Sequence, residues 1–350
     1  MKLRVIVPCY NEGEIIVKTY QRLTEIMSQD SLQQHYDYDL LFVDDGSKDE
    51  TISYIQEAAE NDHHVKFISF SRNFGKESAM IAGFQHSVDC DAVVMIDADL
   101  QHPPTLIPQL VEGYKEGYDQ VVAKRNREGE KQSRKLLTKA YYKLINHFVE
   151  DIQLNDGIGD FRLLSQRAVR SLVSLDEANR FSKGLYEWIG YNTKIFTYEN
   201  VEREAGESKW SFKQLLNYGI DGLISFNTKP LRLLIYFGVF VSFISVLYIL
   251  YILIDIMFNG IDTPGYFSTI AAILFLGGVQ LIAIGIVGEY IGRIYFEVKQ
   301  RPKYLVQATN LKPIDDVNRD EDPYVKQDQR HKDEKMHDEE ETREEALVRH

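Results

Sequence analysis

The sequence predicts an α/β fold, a doubly wound and mostly parallel sheet, followed by a pair of membrane-crossing helices. Three observations support it. Apolar strand-like runs, polar turns and helical patterns alternate five times between residues 3 and 123, as they do when helices cover both faces of a parallel sheet. Acidic residues stand where those runs end, and the carboxyl ends of strands are where open α/β sheets hold ligands. Further on, residues 233–254 and 267–288 are two uncharged stretches of 22 residues each, long enough for a hydrocarbon core of about 30 Å.

The first unit is a β-branched run at 3–7 stopped by Pro8, a polar turn Cys9-Tyr10-Asn11-Glu12, and a helical pattern at 15–27. Its turn lacks the glycine fingerprints of dinucleotide and phosphate loops, which disfavours a dehydrogenase or a nucleoside triphosphatase. The second unit runs over 38–43, then Asp44-Asp45-Gly46-Ser47, then a helix beginning near Asp49 and Glu50. Acids in a first turn complement the helix dipole, which accounts for Asp49 and Glu50. It does not account for Asp44 and Asp45, whose carboxylates at the strand end can accept hydrogen bonds from a base imide or from ribose hydroxyls. The third unit has a strand at 65–70, a loop carrying Arg72 and Lys76, and a helix to about Ser87. Either cation suits a phosphate or plain exposure in a loop.

The fourth strand, 92–96, leads into Asp97-Ala98-Asp99-Leu100-Gln101-His102-Pro103-Pro104, and the proline pair can start the next helix, at 105–115. Two carboxylates and an amide oxygen are hard ligands that suit Mg²⁺ or Mn²⁺ held together with a substrate's phosphates. An isolated Asp-x-Asp is more often a helix-capping turn; its place after a central strand favours the metal. A fifth strand, 120–123, runs into Lys124-Arg125-Asn126-Arg127. Residues 133–149 then read as an amphipathic helix with Arg134, Lys135, Lys139 and Lys143 on its basic side, fit for anionic lipid or for a solvated packing helix. Asp160 lies on a glycine-bounded approach to a short apolar strand, and a helix follows at 165–174. The loop at 201–210 carries Arg203, Ser208 and Lys209, which can close on a diphosphate through fork donors and a point charge.

Charge and cysteine usage narrow the setting. The 350 residues carry a formal charge of −13, of which residues 310–350, with 14 acidic and 8 basic side chains, supply −6. That balance argues against nucleic acid as a partner, and the polar tail is expected to be disordered. Cys9 and Cys90, each beside an apolar run, read as buried thiols of a reducing compartment. The N-terminal apolar run is too short for a signal peptide, so the soluble domain is expected in the cytoplasm. The connector 255–266 has no Lys or Arg, whereas Lys229 and Arg232 precede the first apolar stretch and Arg293, Lys299, Arg301 and Lys303 follow the second. The positive-inside rule then puts both ends of a helical hairpin in the cytoplasm. The expected organisation is a catalytic domain at 1–205, a juxtamembrane amphipathic region at 206–230, two spans within 231–290, a cytoplasmic juxtamembrane segment at 291–309 and the tail at 310–350.

Five motifs in order carry a family resemblance: Val-Pro8-Cys-Tyr10-Asn11-Glu12, Val-Asp44-Asp45-Gly-Ser, Asp97-Ala-Asp99-Leu-Gln101-His-Pro-Pro, Gly-Asp160-Phe-Arg-Leu and Gly-Glu-Ser208-Lys209-Trp-Ser. Together they resemble the family 2 glycosyltransferases, in the branch of dolichol-phosphate mannose synthase and the bacterial polyprenyl-phosphate glucosyltransferases. The resemblance extends over roughly residues 3–305. The Gln-x-x-Arg-Trp signature of processive members is missing, so transfer of a single sugar is expected rather than polymerisation.

The resemblance implies a Rossmann-like GT-A domain, a nucleotide-sugar donor read as a UDP-sugar, Mg²⁺ or Mn²⁺, and a polyprenyl phosphate acceptor such as undecaprenyl phosphate. It implies inverting transfer at the cytoplasmic membrane face for cell-envelope glycosylation, possession of a homo-oligomeric state being a family habit. Residue by residue, Pro8, Tyr10 and Glu12 match the nucleoside pocket, and Asp45 matches the carboxylate that reads the base, with Asp44 supporting it. Asp97, Asp99 and Gln101 match the metal ligands. Arg125, Arg134 and Arg203 resemble the arginines that gather phosphates, with Arg127 and Lys209 as neighbours, and Asp160 resembles the Asp facing the reaction centre. Two other functions share these features: a membrane-bound transferase acting on a polysaccharide or protein, and a non-enzymatic membrane anchor or assembly protein with a vestigial nucleotide fold. Intact Asp45, Asp99 and Gln101 argue against the second.

Overall fold

The computed structural model describes residues 1–126, 157–198 and 265–312, with helical positions at intervals between 236 and 258. Met1–Asn310 forms one compact unit; of the second, Leu311–His350, only the first two residues are described. The opening half alternates as expected: β1 (Lys2–Cys9), α1 (Ile16–Gln34), β2 (Asp37–Asp44), α2 (Thr51–Asn61), β3 (Val65–Phe70), α3 (Lys76–Gln85), β4 (Ala92–Met95), a 3₁₀ turn (Pro104–Leu106), α4 (Ile107–Lys115) and β5 (Gln120–Arg125). There follow β6 (Ile158–Ser165), α5 (Gln166–Ser174), α6 (Ser182–Trp188), β7 (Thr193–Tyr198), a long helix α7 (Tyr266–Lys299) and β8 (Val306–Thr309). The expected helix at 133–149 lies outside the described residues.

All eight strands form one sheet in the order β7-β5-β6-β4-β1-β2-β3-β8. β1 sits between β2 and β4, parallel to both, and is buried along almost its whole length. Burial on both faces is why it reads as a continuous apolar run rather than an alternation. It continues one residue past Pro8, to Cys9 opposite Asp44. On one face Leu3, Val5 and Val7 pack with Ile16, Leu23 and Met27 of α1, Ile55 of α2 and Leu110 of α4. On the other, Ile6 meets Gly83 of α3, where an added Cβ would come within 2.5 Å of the Ile6 side chain. Glycine is therefore what lets α3 lie close on the sheet.

Two strands depart from the parallel expectation. β6 runs antiparallel to both β4 and β5. Asp160 accordingly lies inside a sheet strand rather than on an approach to one. β8 pairs antiparallel with β3, Phe70 opposite Val306 and Ile68 opposite Thr309. The end of the segment expected as a juxtamembrane connector at 291–309 thus belongs to the sheet.

Among the described residues one helix is long and apolar enough to cross a membrane, Phe275–Lys299 within α7, with a mean hydropathy of 1.6. Its apolar side chains are uncovered, Leu281 being 72% and Val298 75% exposed. The helix runs on to Lys299, well past the end of the stretch expected at 267–288. The described positions between 236 and 258 are helical, and the remainder of the stretch expected at 233–254 lies outside the described residues.

From α7 the chain returns directly to the sheet. Glu297 accepts the Ala178 N–H at 3.0 Å, Lys303 pairs with Asp176 at 2.7 Å, and the Ser71 N–H donates to the Leu305 carbonyl at 3.0 Å. The Tyr304 ring stacks on Phe70, centroids 4.8 Å apart, and its hydroxyl donates to Gln85 at 2.7 Å. Asn310 then accepts from the Phe67 N–H and donates to the Val65 carbonyl.

Tyr304 carries enough of this closure to test it. Tyr304→Ala forfeits a stacked aromatic pair and a hydrogen bond, about 1–2 kcal/mol together, or a fall of roughly 2–8 °C in melting temperature for a domain of this size. Tyr304→Phe keeps the stack and should lose less than half of that. Thermal unfolding in detergent checks both; a Tyr304→Ala protein melting with the wild type would contradict the closure.

Candidate active site

The loops that leave the carboxyl ends of β1, β2 and β3 are laced together. Asn11, at φ 53°, donates its N–H to Ser47 Oγ and accepts from the Lys48 N–H, both at 2.9 Å. Thr51 Oγ1 accepts the Glu12 N–H at 2.9 Å. Asp49 precedes α2 instead of entering its first turn, and it accepts from the Gly13 N–H at 3.0 Å and the Thr51 hydroxyl at 2.5 Å. Burial opposes its charge, but these donors hold its carboxyl below the ordinary value. It also accepts the N–H of Thr51, the first residue of α2, at 3.1 Å, so it serves the helix N-terminus as expected and joins two loops besides.

The β2 loop is equally tied to the β3 loop. Gly46 has φ +66°, and a Cβ there would lie 2.4 Å from the Arg72 carbonyl carbon, so only glycine permits the contact. Asp45 accepts the N–H groups of Phe74 at 2.6 Å and Gly75 at 2.9 Å. Burial pushes its carboxyl up, and those two donors partly restrain the rise. Asp44 lies beneath, fully buried, accepting from the Ser47 N–H and the Ser69 hydroxyl.

Register explains the other half of the site. Met95 at the end of β4 pairs with Arg162 of the antiparallel β6. Two residues further along β4 and two back along β6 bring Asp97 beside Asp160. Both carboxylates converge on the ammonium of Lys76, the first residue of α3, at 2.6 Å from Asp97 Oδ1 and 2.8 Å from Asp160 Oδ2. Burial disfavours the Lys76 charge, but the Asp160 and Asp97 carboxylates more than offset it and raise the ammonium well above its ordinary value. Reciprocally, burial opposes ionisation of Asp160, while Lys76 and then Lys183 hold its carboxyl far below the usual range. The Lys76 side chain is 45% exposed, so each pair is worth no more than about 1 kcal/mol. Water or another cation can compete for these oxygens.

The supports of this cluster are rigid. Arg162 is fully buried, lies 3.7 Å over the Tyr186 ring, and donates to the Gly159 carbonyl at 2.9 Å, which fixes the backbone next to Asp160. The Thr19 hydroxyl holds the Ala98 carbonyl at 2.7 Å. Leu100 takes φ 54°, and Asp99 Oδ1 accepts the Gln101 N–H at 3.1 Å, closing a local turn. His102 meets the Tyr198 hydroxyl through Nδ1 at 2.5 Å and packs against Phe161, with Nε2 3.9 Å from Asp97.

The structure therefore gathers Pro8, Tyr10, Glu12, Asp44, Asp45, Asp97, Asp99, Gln101 and Asp160 at one edge of the sheet. Arg125 ends β5 at the same edge, its N–H on the Gly157 carbonyl at 2.9 Å. Arg127, Arg134, Arg203 and Lys209 lie outside the described residues. Lys76, His102 and Tyr198 join the site without having been assigned to it from the sequence. Asp97 already attracts a cation, Lys76, and Asp99 and Gln101 follow it in the same turn; their oxygens are hard donors, so the chemistry of these residues fits a divalent ion. A second grouping, Asp62, His63 and His64, has ligand atoms within 4.8 Å of one another. It stands before the start of β3, at the opposite edge. Asp62 is engaged there by the Tyr20 hydroxyl and His64 by stacking on Tyr38.

Residues 4–173 match the glycosyl transferase family 2 model and residues 229–294 match the GtrB C-terminal hairpin. The glycosyltransferase CsbB of Bacillus subtilis is 53% identical over 309 residues, which is 88% of this chain and 92% of that protein. The chain belongs to glycosyltransferase family 2. Two further relatives of this transferase are named for their activity. A prophage-derived bactoprenol glucosyl transferase of Shigella flexneri is 42% identical over 311 residues, 89% of this chain and 99% of its own. The bactoprenol glucosyl transferase of Shigella phage SfX is 43% identical over 309 residues, 88% and 99% of the two chains. The family 2 match thus falls on the sheet, and the match to the hairpin model includes most of α7.

Proposed function

We propose that this transferase moves one sugar from a nucleotide-sugar, a UDP-sugar, to a polyprenyl phosphate at the cytoplasmic face of the membrane. The acceptor is undecaprenyl phosphate, the phosphate of bactoprenol, and the product is a lipid-linked sugar for envelope glycosylation. Two named relatives support the lipid. The observation that carries the reading is the return of α7 into β8. Because β8 is antiparallel, its first residue, Val306, stands opposite Phe70 at the carboxyl end of β3. The apolar helix therefore joins the sheet at the edge that bears the carboxylates. A cavity of about 210 Å³ lies where the two meet, its lining including Phe74 and Phe296, the cations Arg180, Arg301 and Lys303, and the carboxyl group of Glu77; the excess of cations suits a lipid phosphate.

The same closure argues for two spans. β7 and β8 lie in one sheet, so the chain between Tyr198 and Val306 crosses a bilayer an even number of times. If α7 makes one crossing, the uncharged stretch at 233–254 is the segment able to make the other.

In the reaction, Asp45 and the loop it holds receive the nucleoside, and Asp97, Asp99 and Gln101 would hold the divalent ion. When bound, that ion neutralises the charge building on the departing diphosphate. An oxygen of the lipid phosphate forms a bond to the anomeric carbon as the bond to the diphosphate oxygen breaks, its electron pair leaving with the diphosphate, and the carbon inverts. Arg125 and the arginines at 127, 134 and 203 gather the phosphates. A phosphate monoester has a second pKa of about 6, so the acceptor is largely deprotonated at neutral pH and needs little help from a base. Asp160 fits that chemistry: its carboxylate is committed to Lys76, and it positions rather than removes a proton.

Two outcomes check this. Incubating labelled UDP-sugars with undecaprenyl phosphate in detergent and extracting with organic solvent should yield an acid-labile lipid-linked sugar. Asp99→Ala should lower its formation at least 100-fold with the melting curve preserved; label found only in polysaccharide or protein would favour the rival acceptor. Asp160, held far below the usual carboxylate range, stays anionic from pH 6.5 to 8.5, so its charge contributes no step to the rate profile there. Asp160→Asn should slow transfer at every pH in that window without altering the profile's shape. A wild-type rate that falls toward the acid end of that window, with the fall abolished in Asp160→Asn, would make Asp160 the general base.

A further inference from the structure

Lys76 sits where a cation binds, yet nothing in the proposed reaction uses it. Its ammonium is shared between Asp97, one of the oxygens assigned to the metal, and Asp160, which faces the reaction centre. The base of the side chain cannot drift far, because Asp45 holds the N–H of Gly75, the residue before it. The half-exposed side chain can still swing at its tip. A divalent ion on Asp97 and Asp99 would repel the ammonium from Asp97, while Asp160, on the neighbouring strand, would continue to attract it.

We propose that Lys76 is a resident counter-ion of the metal site, which yields Asp97 when a divalent ion binds and remains on Asp160 to meet the acceptor phosphate. The inference rests on the assignment of Asp97 and Asp99 to the metal. Lys76 neutralises two carboxylates that would otherwise repel one another across β4 and β6 while the site awaits its donor. Once moved off Asp97, it puts a positive charge beside Asp160, on the acceptor side of the reacting carbon, and the divalent ion keeps the leaving-group side. The two cations then divide the two anions, lipid phosphate and diphosphate, between them.

The experiment is Mn²⁺ binding to the full-length protein in detergent without nucleotide, read from the free Mn²⁺ signal in electron paramagnetic resonance. Removing a competing cation strengthens metal binding, an outcome that structural damage would not produce. Lys76→Met and Lys76→Gln should each bind Mn²⁺ about three- to tenfold more tightly than wild type, and Lys76→Arg should bind it within about twofold. In transfer assays the two neutral variants should raise the KM for undecaprenyl phosphate at least fivefold and leave the KM for the donor within twofold. Asp99→Ala separates the two claims. If it binds Mn²⁺ as wild type does, the metal assignment fails and the Lys76 inference with it. If it loses Mn²⁺ but the neutral Lys76 variants bind the ion no more tightly than wild type, the Lys76 inference alone is overturned.

Discussion

One ammonium between two carboxylates sets the charge balance of this site. Asp97 and Asp160 come from strands that run in opposite directions, and the antiparallel pairing of β4 with β6 is what puts them side by side. Left alone, the two anions would repel; Lys76, at the start of a helix on a third strand's loop, draws them to one point. The surrounding contacts serve that convergence. Arg162 fixes the backbone beside Asp160, Thr19 fixes the backbone between Asp97 and Asp99, and Asp45 fixes the residue before Lys76. A site assembled this way presents negative charge to a cation and positive charge to phosphate within a few ångströms, which transfer between two phosphorylated partners requires.

A second constraint joins this edge to the apolar helix. α7 passes through Lys303 and Tyr304 into β8, and each of these residues is bound to the sheet domain on the way. The chain that leaves β7 must therefore come back to the same sheet. Such a closed path keeps the carboxylates at a fixed reach from the helix end, so an acceptor confined to a membrane surface would meet the donor without either leaving its phase. It also explains why residues beyond α7 belong structurally to the sheet domain.

The sequence made some of this legible and hid the rest for physical reasons. β3 was readable to the residue, since Val65 to Phe70 is a buried apolar run between polar turns. The Asp97 and Asp45 motifs were readable because their positions follow from strand ends. β7 was not, as it lies at the sheet edge with alternating exposure and mixed polarity. β8 has four residues, largely exposed, and owes its place to partners more than 230 residues earlier. Strand direction is likewise absent from a local pattern, so Asp160 read as an approach to a strand rather than a member of one. Lys76 showed only a loop cation fit for a phosphate or for plain exposure; its carboxylate partners lie 21 and 84 residues away, and proximity across a fold is not written in spacing. Asp49 was read as serving the start of a helix, and it does accept the first N–H of α2; its bond to Gly13 in the neighbouring loop was not readable from spacing.

The central claim is that the carboxylates at the end of β4 hold a cation serving the leaving diphosphate. The most direct measurement is phosphorus hyperfine coupling to Mn²⁺ in the complex of the full-length protein with UDP, read by electron–nuclear double resonance. The account predicts coupling from diphosphate oxygens bound to the ion in the wild type, and loss of that protein-bound signal in Asp97→Asn. Mn²⁺ bound at the site without phosphorus coupling, or coupling unchanged in Asp97→Asn, would contradict it.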